Sequence, residues 1–168
     1  MITKNALLSS PLLALTLCFV TFPTLADNLR VGAARADITP PSDSASQEMV
    51  TCPGRHRLDN TREGTAGKYE DGDTVNLRLG ALRIGDVVLA SVDGEVYSAI
   101  GKRLKEQSPM ANTVMVTLAD GMANSGYIPD DASFGANTFQ VLGSRLKPGC
   151  AESAIVGGLL DQIQANDK

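Results

Sequence analysis

Val75-Asn76-Leu77-Arg78-Leu79-Gly80-Ala81-Leu82-Arg83-Ile84-Gly85-Asp86-Val87-Val88-Leu89-Ala90-Ser91-Val92 decides how this chain folds. From Val75 to Ile84 apolar and polar side chains alternate over much of the run, the period of a strand with one wet face. Gly85-Asp86 is turn chemistry, and the solid apolar run after it reads as a strand buried on both faces. The two runs predict a β-hairpin.

Downstream, Val96, Ile100 and Leu104 recur four apart from Glu95 to Gln107, with Lys102, Arg103, Lys105 and Glu106 on the remaining surface. That is an amphipathic helix, ended by Ser108-Pro109. Thr113 to Ala119 is β-branched and bounded by Asn112 and Asp120-Gly121, the pattern of a buried strand, so strand, helix and strand predict a right-handed crossover. A loop rich in Gly, Asn, Ser and Asp runs to Asn137, and Thr138 to Leu146 suits a short strand or a helical turn. Ala151 to Ile163 is helical in spacing, with Ala151, Ile155, Leu159 and Ile163 on one stripe, although Gly157-Gly158 costs it about 2 kcal/mol in propensity. The expected fold is α/β: one mixed β-sheet with flanking helices, built as a β-hairpin, then a β-α-β crossover and a C-terminal helix. Strands apolar on both faces need more neighbours than this chain supplies, which predicts an incomplete domain and self-association through unpaired strands.

Upstream the pattern weakens. Residues 42–73 carry Ser, Asp, Gly, Pro and charge with almost no apolar periodicity and read as irregular, while Leu29 to Pro41 reads as a short strand stopped by Pro40-Pro41. Lys4, the apolar stretch Leu7 to Val20 and Thr24-Leu25-Ala26 predict a secretory signal peptide over residues 1–26, hence export to the periplasm or outside the cell. Cys18 offers a lipoprotein alternative, against which stands the bulky Leu17 before it. Residues 27–168 then form one domain. The chain has 15 basic and 19 acidic side chains, and losing Lys4 leaves 14 minus 19, or −5. That balance, without Trp and with 4% aromatics, argues against a nucleic-acid partner. Cys52 and Cys150 remain and could pair in an oxidising compartment, a matter of distance that sequence leaves open. Neither has a Cys-x-x-Cys partner, which argues against zinc ligation.

Glu95 and Tyr127 are the candidate metal ligands. Gly94-Glu95 closes one apolar run and Ser125-Gly126-Tyr127-Ile128-Pro129 follows the next, so in one open sheet both sit just past strand ends, where sites gather. The bland alternatives are a first-turn acid complementing a helix dipole for Glu95 and a packed ring for Tyr127. A hydrolytic zinc site needs about three protein ligands, and the chain has a single histidine. His56, between Arg55 and Arg57, reads first as a solvated loop residue and second as a neutral ligand. Glu70-Asp71-Gly72-Asp73 lacks the alternating oxygens of an EF-hand, and no P-loop, Gly-x-Gly-x-x-Gly or Gly-x-Ser-x-Gly occurs.

Leu82-Arg83-Ile84-Gly85-Asp86, Gly94-Glu95-Val96-Tyr97, Gly101-Lys102-Arg103-Leu104, Leu118-Ala119-Asp120-Gly121, Gly126-Tyr127-Ile128-Pro129 and Ser144-Arg145-Leu146-Lys147-Pro148-Gly149 together resemble the closing part of the catalytic domain of neutral/alkaline, non-lysosomal ceramidases. Val31-Gly32-Ala33-Ala34-Arg35-Ala36-Asp37-Ile38-Thr39-Pro40-Pro41 resembles its opening. The resemblance implies zinc-dependent cleavage of the amide of N-acylsphingosine to fatty acid and sphingosine, with a sphingolipid or membrane surface as partner. It assigns two histidines, a glutamate and a tyrosine to the zinc, the last two matching Glu95 and Tyr127; a later site tyrosine is matched by Phe139, which has no hydroxyl. The family's central portion, with both histidines and the reactive serine, has no counterpart between about Pro41 and Thr51, so no catalytic residue is assigned. Three readings follow: a shortened ceramidase-like chain with little activity alone, an active hydrolase completed by His56 or a partner's histidines, or an exported binding module without catalysis.

Overall fold

A computed structural model describes residues 45–119 and 121–165. The expected signal peptide and the expected strand from Leu29 to Pro41 lie outside them. Four strands form one mixed sheet in the order β1-β2-β3-β5: β1 (Ala45–Arg57), β2 (Tyr69–Ile84), β3 (Val87–Val92) and β5 (Asn112–Val116). β2 and β3 are the expected hairpin, antiparallel with Ala81 opposite Ala90 and Ile84 opposite Val87. Gly85, at φ +63°, takes the first turn position in a conformation that glycine adopts without steric cost. β3 and β5 run parallel, joined through β4 (Glu95–Val96) and α1 (Ser98–Gln107) as the crossover. β6 (Tyr127–Ile128) pairs with β4 as a separate two-strand ribbon. A 3-10 turn (Asp131–Ala136), α2 (Phe139–Gly143) and α3 (Ala151–Ala165) complete the α/β fold.

The hairpin alternation puts Val75, Leu77, Leu79 and Ala81 of β2 on one face with Val88, Ala90 and Val92 of β3, and all seven are buried. α1 brings Ile100 and Leu104 to this face, and the α3 stripe of Ala151, Ile155, Leu159 and Ile163 is buried with them in one core. Thr138, between the two readings of its segment, caps α2: its hydroxyl accepts from the Val141 N–H. Cys52 and Cys150 form a disulfide, with Cα atoms 5.8 Å apart.

Three expectations change. Residues 42–73 are not irregular throughout, because β1 occupies Ala45–Arg57 and β2 begins at Tyr69, leaving only Leu58 to Lys68 as a connection. β1 escapes a pattern search because it is a polar edge strand, and Pro53 sits where the register with β2 shifts between Cys52 and Gly54, a position that needs no donor. β3 is buried on one face only, with Val87, Leu89 and Ser91 half-exposed on the other. β5 stops at Val116 rather than Ala119 and is an edge strand whose Val114 is 43% exposed, since among the described residues nothing lies beyond it.

Candidate functional site

The chain leaves β3 through Asp93-Gly94 and leaves β5 through a loop from Thr117, and these two exits build one corner at the carboxyl ends of the parallel strands. Leu118 N–H donates to Gly94 C=O at 3.1 Å and Ala119 N–H to Val92 C=O at 3.0 Å, tying the second exit to the first. Leu118 and Ala123 in this loop carry φ of 57° and 49°, the left-handed region that few non-glycine residues adopt. Asp93 is buried and its Oδ1 accepts from the Arg78 N–H at 3.0 Å.

Glu95 and Tyr127 are direct register partners of the parallel β4–β6 ribbon, as Val96 and Ile128 are. Residues opposite each other in a ladder present their side chains on the same face, so the carboxylate and the phenol share one side of the ribbon. Glu95 is exposed and Tyr127 half-buried. Gly94 makes the approach of the two strands feasible: a Cβ there would stand 2.5 Å from Ile128 Cδ1 and 2.7 Å from Ser125 Oγ. Gly126, at φ +65°, turns the chain into Tyr127. Phe139 packs edge-on against the Tyr127 ring, with centroids 5.8 Å apart, and is itself 61% exposed.

The helix-dipole reading of Glu95 is overturned. α1 begins only at Ser98, after Tyr97 in extended conformation, and its first turn holds no acidic residue. Tyr97 N–H donates to Ile128 C=O at 3.0 Å, which extends the ribbon past Val96 and delays the helix. His56 lies on β1 opposite Glu70, in a strand rather than a loop.

Among the described residues, no three His, Cys, Asp or Glu side chains come together as a metal cluster. Among the described residues, Glu95 and Tyr127 bring one carboxylate and one phenol to the shared face of the ribbon and no imidazole joins them, so these two residues do not fit the zinc that the resemblance implies. Sequence reasoning missed Arg55. Its guanidinium lies 3.8 Å over the Tyr69 ring and 5.1 Å from that of Phe134, and it donates to the carbonyls of Val141 at 2.6 Å and Ser144 at 3.3 Å. Burial pulls its pKa below the ordinary value for arginine, partly offset by Tyr69. Arg55 thereby fixes α2, and with it Phe139, against β1. No local signal reveals it, because its partners lie far along the chain. No protein-family model, no characterised protein and no solved structure matches the chain.

Proposed function

We propose that this chain is a shortened ceramidase-like polypeptide that keeps the oxygen-donor corner of an amide-hydrolase site and, lacking imidazoles there, has little or no activity alone. The register pairing of Glu95 with Tyr127 carries this reading, because two residues chosen for their places past strand ends share one face of one ribbon. Leu118 at 56% and Phe139 at 61% exposure flank the corner, an apolar surround that suits an amphiphile such as N-acylsphingosine or the membrane surface presenting it. The expected site of action is the periplasm or the outside of the cell. Elemental analysis of the purified oxidised chain tests the proposal, followed by hydrolysis of a fluorescent ceramide. The expected result is less than stoichiometric zinc and no turnover, unchanged in Glu95→Ala and Tyr127→Phe. Stoichiometric zinc lost in either variant, with turnover, would show a complete site and overturn it.

The second reading is an exported binding module without catalysis. The single core reaching from Cys52 to Ile163, with the Cys52–Cys150 disulfide, favours a unit that folds by itself. A cooperative melt of a monodisperse monomer supports the module, and a broad transition with association supports the remnant.

A further inference from the structure

From the free edge of β5 we infer a binding site for an extended acidic peptide, added to the sheet as a further strand. This inference is independent of the hydrolase reading and survives its failure. β5 is the last strand of the sheet, and among the described residues no backbone hydrogen bond is made on its outer side. Its sequence, Asn112-Thr113-Val114-Met115-Val116, contains no proline or charge and its pairing with β3 no bulge, so the features that usually blunt an edge strand are missing. Beside this edge runs a groove of about 560 Å³ between β5 and α1. Val96, Gly101 and Met115 line it with apolar surface, and Lys102, Lys105 and Glu106 give it two positive charges against one negative. The groove has room beside Gly101, where a Cβ would meet only Met115 at ordinary contact distance.

An added strand would form main-chain hydrogen bonds with β5 and lay every second side chain toward α1. Apolar contact with Met115 and a carboxylate near Lys105 are the matching features. Lys102 shares its charge with Glu106 at 3.7 Å, which leaves Lys105 the stronger partner. A second copy is the competing occupant, since two β5 edges paired about a two-fold axis would bring α1, with Lys102, Lys105 and Glu106, beside its symmetry mate.

The test uses the full oxidised chain and a fluorescent Gly-Thr-Val-Thr-Glu-Thr-Glu-Thr-Gly peptide, with anisotropy as readout and amide hydrogen exchange of residues 112–117 as the locator. Binding that slows exchange there, and that weakens at least about tenfold in Lys102→Glu/Lys105→Glu, is expected. The same variant should bind the peptide with lysine in place of both glutamates more tightly. Gly101→Leu should block binding by filling the groove, and N-methylation of alternate peptide amides should abolish it. Absence of binding, equal binding of the acidic and basic peptides, binding that survives N-methylation, or sedimentation showing two copies joined through this edge would each overturn the inference.

Discussion

Gly94 does more for the corner than its size suggests. It joins the buried Asp93 to Glu95 where β4 runs against Ile128 and Ser125, with 2.5 Å and 2.7 Å left for any Cβ. Gly94→Ala is expected to lower stability by about 1 to 3 kcal/mol through overpacking. Urea unfolding measures it, and an unchanged midpoint would mean that the ribbon spreads freely and that Glu95 and Tyr127 are held loosely. The place of Glu95 shortly after β3 was legible from the sequence, whereas Tyr127 stands in β6, well beyond the end of β5 at Val116. Their pairing was not legible, because strands as short as Glu95–Val96 and Tyr127–Ile128 contain no period to read. Arg55 was illegible for a different reason: its value lies in Tyr69, Phe134, Val141 and Ser144, contacts that only the folded chain assembles.

At the scale of elements, α3 separates propensity from packing. Gly157 and Gly158 carry the same intrinsic helix penalty, yet their surroundings differ. A Cβ at Gly157 meets nothing within 4 Å, whereas one at Gly158 would stand 2.7 Å from Leu79 Cδ1 and 3.3 Å from Glu48 Oε2. Gly157→Ala is therefore expected to stabilise by about 0.5 to 1 kcal/mol. Gly158→Ala is expected to lose that gain and about 1 kcal/mol more, because Leu79 is fully buried and has no room to yield. Thermal melts of the two single variants check this, and equal shifts of the same sign would show that β2 does not sit tightly under α3. The helix and hairpin were readable because their periods are intact. β1 was not, since Val50 and Cys52 are nearly the only apolar residues it turns toward the core.

That weakness of β1 gives the Cys52–Cys150 disulfide its place in the whole molecule. β1 is an edge strand with a polar sequence and a bulge at Pro53, so its pairing with β2 contributes little apolar burial of its own. The bond ties its one fully buried apolar side chain, Cys52, to the residue before α3, across a separation of 98 positions. A loop of that length restricts the unfolded chain strongly, and its closure is worth about 2 to 5 kcal/mol. Nearby hydrogen bonds depend on the same contact: Arg55 N–H to Arg145 C=O at 2.8 Å and Lys147 N–H to Pro53 C=O at 3.1 Å fasten the outer side of β1. Reduction is therefore expected to lower the unfolding free energy by about 2 to 5 kcal/mol. Amide exchange should accelerate first in residues 45–57 rather than in the hairpin of β2 and β3, whose core burial does not depend on the bond. Urea titrations with and without reductant, read alongside hydrogen exchange, decide the matter. Coincident titrations with unchanged exchange in β1 would mean that the strand is held by its ladder alone. A loss spread evenly through β2, β3 and α3 would mean instead that β1 and the core unfold as one unit, and that no edge of this sheet opens independently.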